Sequence, residues 1–234
     1  MIVASVILSL AADARASMND LSIVVGNKNY SSWSLRAWLA LKQTGAPFKE
    51  IVIPLDRSDT KEKLRAHSPS ERVPVLKHGG EIIWESLAIA EYLAELFPAA
   101  KLWPSQASAR AIARAVSSEI HAGFVALRTH MPMDVRGRYP GKGRGHGVDK
   151  DIDRVAGLWR ECRNRFGSGG DYLFGPFTIA DAMYAPVVSR FITYDVALDD
   201  IGAAYRDAVW RWPAMQEWAK SASDEPWVIA QAVI

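Results

Sequence analysis

The chain has 234 residues, enough for one large domain or two small ones with a sizeable core. Lysine and arginine number 28 against 26 acids, and 49% of residues are hydrophobic, which gives no global reason to expect a nucleic-acid partner or disorder. The single cysteine excludes an internal disulfide, and the five histidines form no HExxH pair, so no metal site is expected and a reducing compartment is.

Residues 1–10 are apolar and run into Ala11-Ala12-Asp13-Ala14, the outline of a signal peptide. No lysine or arginine precedes Arg15, and the run is too short to span a bilayer. Residues 1–18 are therefore read as an N-terminal extension, and the protein as cytoplasmic with no membrane partner. Leu21-Ser22-Ile23-Val24-Val25 reads as a strand. Residues 35–44 carry Leu35, Trp38, Leu39 and Leu41 at helical spacing, with Gly45 as the stop. A β-branched strand follows at 48–53 and a short helix at 60–66. Val73-Pro74-Val75-Leu76, Gly79-Gly80 and Ile82-Ile83-Trp84 outline a hairpin, and 86–96 is a periodic helix stopped before Pro98. The order is βαβαββα, a small mixed sheet with helices against it, over residues 19–98.

After a linker at 99–105 the strand signals mostly vanish. Residues 106–234 read as an all-α helical bundle of about five helices: a long one at 106–130, others at 149–166 and 179–193, and shorter pieces at 202–210 and 213–222. Thr178 suits the N-cap of the third, with Asp181 as a short-armed capping-box partner. The glycine-rich basic stretch 137–147 has only Tyr139 for base stacking, so it reads as a loop and no nucleic-acid contact is expected. Cys162 reads as a buried structural thiol, and His121 and Arg128 as residues of a helix face.

Three constellations can carry chemistry. In Tyr30-Ser31-Ser32-Trp33-Ser34 the hydroxyls sit where helix amides point outward, which suits either plain N-capping or an anion. In Arg72-Val73-Pro74-Val75 the proline enters a strand, as a turn proline or as a cis bend that leaves the Val73 main chain free to pair with a peptide-like ligand. Glu85-Ser86 opens a helix; Ser86 either caps it or joins its amides in holding a carboxylate while Glu85 takes an ammonium.

The βαβαββα order, the Val-Pro before the third strand, Glu85-Ser86-Leu87-Ala88-Ile89-Ala90-Glu91-Tyr92-Leu93 and the all-α second half resemble a cytosolic glutathione transferase. Ser31-Ser32-Trp33-Ser34-Leu35-Arg36 is similar to the Ser-Ser-Cys-x-x-Arg motif of the zeta class, which includes maleylacetoacetate isomerases, and Thr178-Ile179-Ala180-Asp181 to the family's helix-capping motif. The resemblance implies a thioredoxin-like N-terminal domain and glutathione as cosubstrate. It also implies a small hydrophobic electrophile seated against the α-domain, and a homodimer. Ser31 matches the serine that hydrogen-bonds the glutathione sulfur, with Ser32 able to share or replace it. Val73 matches the residue whose main chain pairs with the cysteinyl part, Pro74 the cis proline, and Glu85 and Ser86 the pair holding the γ-glutamyl end. Two positions depart: Trp33 stands where the zeta motif has cysteine, and the arginine that isomerases use for the substrate carboxylate falls on Thr193. The expected activity is that of a glutathione S-transferase. The alternatives are a glutathione-dependent cis-trans isomerase and a non-catalytic scaffold.

Overall fold

The computed structural model describes residues 20–229; the extension read at 1–18 lies outside them. Strands β1 (Leu21–Val25), β2 (Lys49–Val52), β3 (Val75–His78) and β4 (Glu81–Trp84) form one mixed sheet in the order β2-β1-β3-β4. β1 and β2 run parallel, with Ile23 opposite Glu50, because helix α1 (Ser32–Gln43) supplies the crossover a parallel pair needs. β3 returns antiparallel on the other side of β1, and Gly79-Gly80 turns it into β4 with Leu76 opposite Ile83. Helix α2 (Thr60–Arg65) places Leu64 against Val24, Ile53 and Val75 on one face of the sheet. α1 and α3 (Ser86–Leu96) pack on the other.

A short 3-10 turn at Pro98–Ala100 leads into six helices. These are α4 (Ala107–Ala122), α5 (Val125–His130), α6 (Val148–Phe166), α7 (Ile179–Thr193), α8 (Asp200–Arg211) and α9 (Pro213–Asp224). The fold is therefore a thioredoxin-like domain followed by a helical bundle. One expectation needs correcting: the single helix at 106–130 is two. Gly123 ends α4 where a Cβ would lie 2.8 Å from the Glu119 carbonyl oxygen, and Phe124 follows at φ 56°. A left-handed phenylalanine leaves no trace in the apolar periodicity, which runs straight across the break.

α7 begins as its sequence indicates. Thr178 is the N-cap, and its amide (2.7 Å) and hydroxyl (3.0 Å) both donate to the Asp181 carboxylate. The other carboxylate oxygen takes the Leu173 amide at 3.0 Å, so Asp181, wholly buried, ties the preceding loop to the helix. The 137–147 stretch is a loop pinned by Tyr139, whose amide donates to the Thr193 carbonyl (2.7 Å) and whose hydroxyl donates to Asp134 (2.8 Å).

The two halves share one core. α1 packs on α7, and Trp38 meets Trp218 edge to face with ring centroids 5.3 Å apart. Trp159 sits at the centre of the bundle against Tyr184, Phe191 and Tyr205. No helix among the described residues is long and apolar enough to cross a membrane.

Candidate active site

The loop between β1 and α1 delivers the serines. Ser31 is the N-cap of α1, its oxygen accepting from the Ser34 amide at 3.4 Å. Its hydroxyl donates to Ser34 Oγ (2.7 Å), which also accepts from the Gly26 amide (3.0 Å). Ser32, one residue into the helix, has a hydroxyl with no hydrogen-bond partner among the described residues. Both serines line a cavity of about 400 Å³ together with Tyr30, Leu55, Arg72 and Val73. Ser31 thus serves as the N-cap that the sequence allows, and the Ser32 hydroxyl is left open to the cavity.

A second cavity of about 220 Å³ adjoins the first through Trp33, Arg72 and Val73, and adds Ser70, Pro74, Glu85 and Ser86. The Val73–Pro74 peptide bond is cis. The main-chain amide and carbonyl of Val73 have no partner among the described residues. Glu85, the residue before α3, sits at φ 69°, a left-handed conformation that costs about 1–3 kcal/mol for a residue with a side chain. Such strain persists where the surroundings fix it, and here it projects a half-exposed carboxylate over the cavity mouth. Beside it Ser86 is 1% exposed, and its hydroxyl is a buried polar atom with no partner. The α3 N-terminus has no side-chain cap, so its first amides face the same space. The sequence constellations at 31–34, 72–75 and 85–86 are therefore brought together in one groove.

Two residues of the α-domain helices, His121 and Arg128, reach the groove residues Trp33 and Glu85. The Trp33 indole stands edge-on to the His121 ring, centroids 5.2 Å apart, with the Arg128 guanidinium 5.5 Å from its centre. His121 Nε2 lies 3.8 Å from the Glu85 carboxylate. Burial first, then the charges of Arg36 and Arg128, hold the His121 imidazole below its ordinary pKa, against the pull of Glu85. The break at Gly123 that hides from sequence periodicity also turns Arg128 back, so that it donates to the His121 carbonyl (3.2 Å). Behind Trp33 lies Arg36, 1% exposed and 4.4 Å from the indole centre, its Nε and Nη1 without partners. Burial, Arg190 and Arg128 push its pKa down to about 9, still protonated at neutral pH.

Thr193 is buried and donates to the Asp134 carbonyl (2.9 Å), so it serves the fold. One turn earlier the buried Arg190 donates to the carbonyls of Met131 (2.7 Å) and Pro186 (3.2 Å). Cys162 is buried in α6, and burial pushes its thiol up to about 12, which leaves it protonated and unreactive at neutral pH. No group of three or more metal-ligating side chains occurs among the described residues.

Comparison with known proteins follows the same division. Residues 30–96 match the family model described as glutathione S-transferase, N-terminal domain, and residues 145–220 the one described as glutathione S-transferase, C-terminal domain. A probable maleylacetoacetate isomerase of Caenorhabditis elegans is 29% identical over 161 residues, covering 67% of this chain and 72% of that protein. The maleylacetoacetate isomerase of Rattus norvegicus is 37% identical over 100 residues, 42% of this chain and 45% of its own length. Among solved structures, a holo maleyl pyruvate isomerase, a bacterial zeta-class protein, superposes with a TM-score of 0.67 at 22% identity, covering 88% of this chain and 98% of that one, a likeness of fold.

Proposed function

The chain belongs to the glutathione S-transferase family, and from that premise we propose that it binds glutathione along the joined cavities and presents it as a thiolate to a small hydrophobic electrophile. The Val73 main chain pairs with the cysteinyl part, beside Pro74. Glu85 takes the γ-glutamyl ammonium, while Ser86 and the α3 amides take its carboxylate. The exposed Arg72 at the shared rim suits the glycyl carboxylate. Ser31 and Ser32 face the sulfur.

The observation that carries this reading is Ser86. A buried hydroxyl with no partner costs free energy, and here it opens on a cavity beside an uncapped helix N-terminus. A carboxylate is the group that accepts from both at once. The energetics of activation are within reach of the serines. Lowering a thiol pKa of about 8.5 by roughly two units requires about 2.7 kcal/mol. A hydroxyl donating to an anion supplies about 1.5–3 kcal/mol, and a helix N-terminus about 0.3–1 more. The thiolate then forms a carbon–sulfur bond to the electrophile while the leaving group departs with its electron pair. The test is retention on immobilised glutathione followed by turnover of an aryl halide; no retention overturns the reading in favour of a scaffold that binds no glutathione.

A second reading, glutathione-dependent cis-trans isomerisation, is favoured by the names of the nematode and rat relatives. There the thiolate adds to an electron-poor double bond, the new single bond rotates, and elimination regenerates glutathione. Thr193, turned into the fold, offers no carboxylate contact, and Arg128, 5.5 Å from the Trp33 ring centre, is a cation from the α-domain close to the groove. Glutathione consumption separates the two: stoichiometric for conjugation, nil for isomerisation. The homodimer belongs to the same proposal, with exposed Ile82 and Trp84 on edge strand β4 as apolar surface for a second copy.

A further inference from the structure

The serine loop is not held by the sheet and α1 alone. Within the loop, the amides of Tyr30 (3.1 Å) and Ser31 (2.8 Å) both donate to the Asn27 carbonyl. The amides of Lys28 and Asn29 point the other way and are taken by Glu225, one on each carboxylate oxygen, at 2.6 and 3.1 Å. Glu225 is the first residue after α9, almost two hundred residues further along the chain. The loop also receives Trp218, whose indole N–H donates to the Lys28 carbonyl (2.8 Å).

Arg136 closes the arrangement. Its amide donates to Asn29 Oδ1 (2.9 Å), and its guanidinium reaches the Glu225 carbonyl (2.6 Å), the Trp227 carbonyl (3.0 Å) and the Tyr30 hydroxyl (3.3 Å). One side chain therefore joins the segment after α9 to the residue next to Ser31. Tyr30 and Ser31 line the same cavity, so a movement of that segment is a movement of the cavity wall.

We propose that residues 225–227 and Arg136 form a clasp that sets the position of the thiol-activating loop, with Glu225 and Arg136 as positioning residues. The inference rests on the serine reading given above and adds to it the requirement that the α-domain complete the thiolate site. A carboxylate bridging two successive amides fixes both their distance and their orientation, because charge-assisted bonds of this kind are short and directional. Neither amide has another partner among the described residues. Displacing a catalytic group by about 1 Å can reduce turnover by up to roughly a hundredfold.

The experiment uses the full chain with Glu225→Gln and, separately, Arg136→Lys. Glutamine keeps the size of Glu225 but turns an NH2 toward one of the two amides. Lysine keeps the charge at 136 but cannot span two carbonyls and a hydroxyl. Hydrogen exchange over residues 26–32, the thiolate absorbance of bound glutathione, and kcat and KM with an aryl halide are measured together. The expected result is exchange of the Lys28 and Asn29 amides faster by about tenfold or more, an upward shift of the bound thiol pKa, and a fall of about tenfold in kcat. KM for glutathione should stay within about twofold, because Val73, Glu85 and Ser86 lie outside the clasp. Unchanged exchange overturns the clasp. Faster exchange with unchanged thiol pKa and kcat overturns the positioning role. If Ser31→Ala with Ser32→Ala leaves the bound thiol pKa unmoved, the serine reading fails and the catalytic half of the clasp with it, while exchange still decides whether Glu225 holds the loop.

Discussion

Replacing Ser31 and Ser32 by alanine, singly and together, and titrating the thiolate absorbance of bound glutathione measures what each hydroxyl contributes. A hydroxyl donating to an anion is worth about 1.5–3 kcal/mol, or roughly 1–2 units of thiol pKa. Ser32 has no partner to give up and contributes the full amount. Ser31 must first release Ser34 Oγ, a 2.7 Å neutral bond worth about 1 kcal/mol. Ser34 is not orphaned by this, since the Gly26 amide still donates to it. The net from Ser31 is then about 0.5–2 kcal/mol, or roughly 0.4–1.5 units. Ser32→Ala should therefore raise the bound thiol pKa at least as far as Ser31→Ala, and the double variant should bring it close to that of free glutathione. With the bound thiol near 6.5, a rise of one unit takes the thiolate at pH 6.5 from about half to about one-tenth, so the rate there should fall about fivefold. The reasoning is refuted if the wild-type thiol already titrates as in free glutathione, or if only Ser31→Ala moves it.

Four other outcomes follow from three single residues. Ser86→Ala should weaken glutathione binding about 10- to 100-fold while leaving urea stability unchanged or higher, because it deletes a buried orphan hydroxyl; unaltered affinity removes Ser86 from the site. Asp181→Ala should lower unfolding free energy by about 3 kcal/mol or more, since the Thr178 amide and hydroxyl and the Leu173 amide all lose their acceptor; a loss below about 1 kcal/mol contradicts that account. Burial pushes the Asp181 carboxyl up to about 6 from 3.8, so the folded chain binds its proton more tightly than the unfolded one. Its contribution to stability accordingly falls as pH rises from about 4 to about 6 and is flat above, a slope in the urea midpoint that Asp181→Asn should erase. Cys162, its thiol pushed up to about 12, should stay unmodified by an aromatic disulfide reagent at pH 7.5 until the chain is unfolded; rapid labelling of the native protein would contradict its burial.

What the sequence makes legible is whatever is set by local chemistry. β1 ends in the β-branched Ile23-Val24-Val25, α3 is a periodic helix closed by Phe97-Pro98, and Thr178 with Asp181 is a helix start; each lies within a residue or two of its expected place. Of the candidate site, the residues proposed from sequence (Ser31, Ser32, Val73, Pro74, Glu85 and Ser86) each belong to a short motif at the edge of a strand or helix, and the cavities bring them together. The residues that sequence does not disclose act across the chain. His121, at the end of α4, and Arg128, beyond the break at a left-handed Phe124, meet at Trp33 from a distant part of the chain. Glu225 meets the serine loop through main-chain amides, which every residue possesses and no sequence pattern marks.

Trp33 and Arg36 explain one another in the same non-local way. A guanidinium that is 1% exposed, with two of its nitrogens unpartnered and no carboxylate paired with it among the described residues, should be expensive to bury. The face of an indole 4.4 Å away offsets part of that cost, by about 2 kcal/mol when desolvated, without neutralising the charge. A cysteine at position 33, as in the zeta motif, offers no such face. The tryptophan thus replaces a thiol in the groove with a wall that tolerates the cation behind it. Arg36 and Arg128 both stand against the Trp33 ring, at 4.4 and 5.5 Å from its centre. On the proposed reading, a cation held near the groove favours an anion over its protonated form.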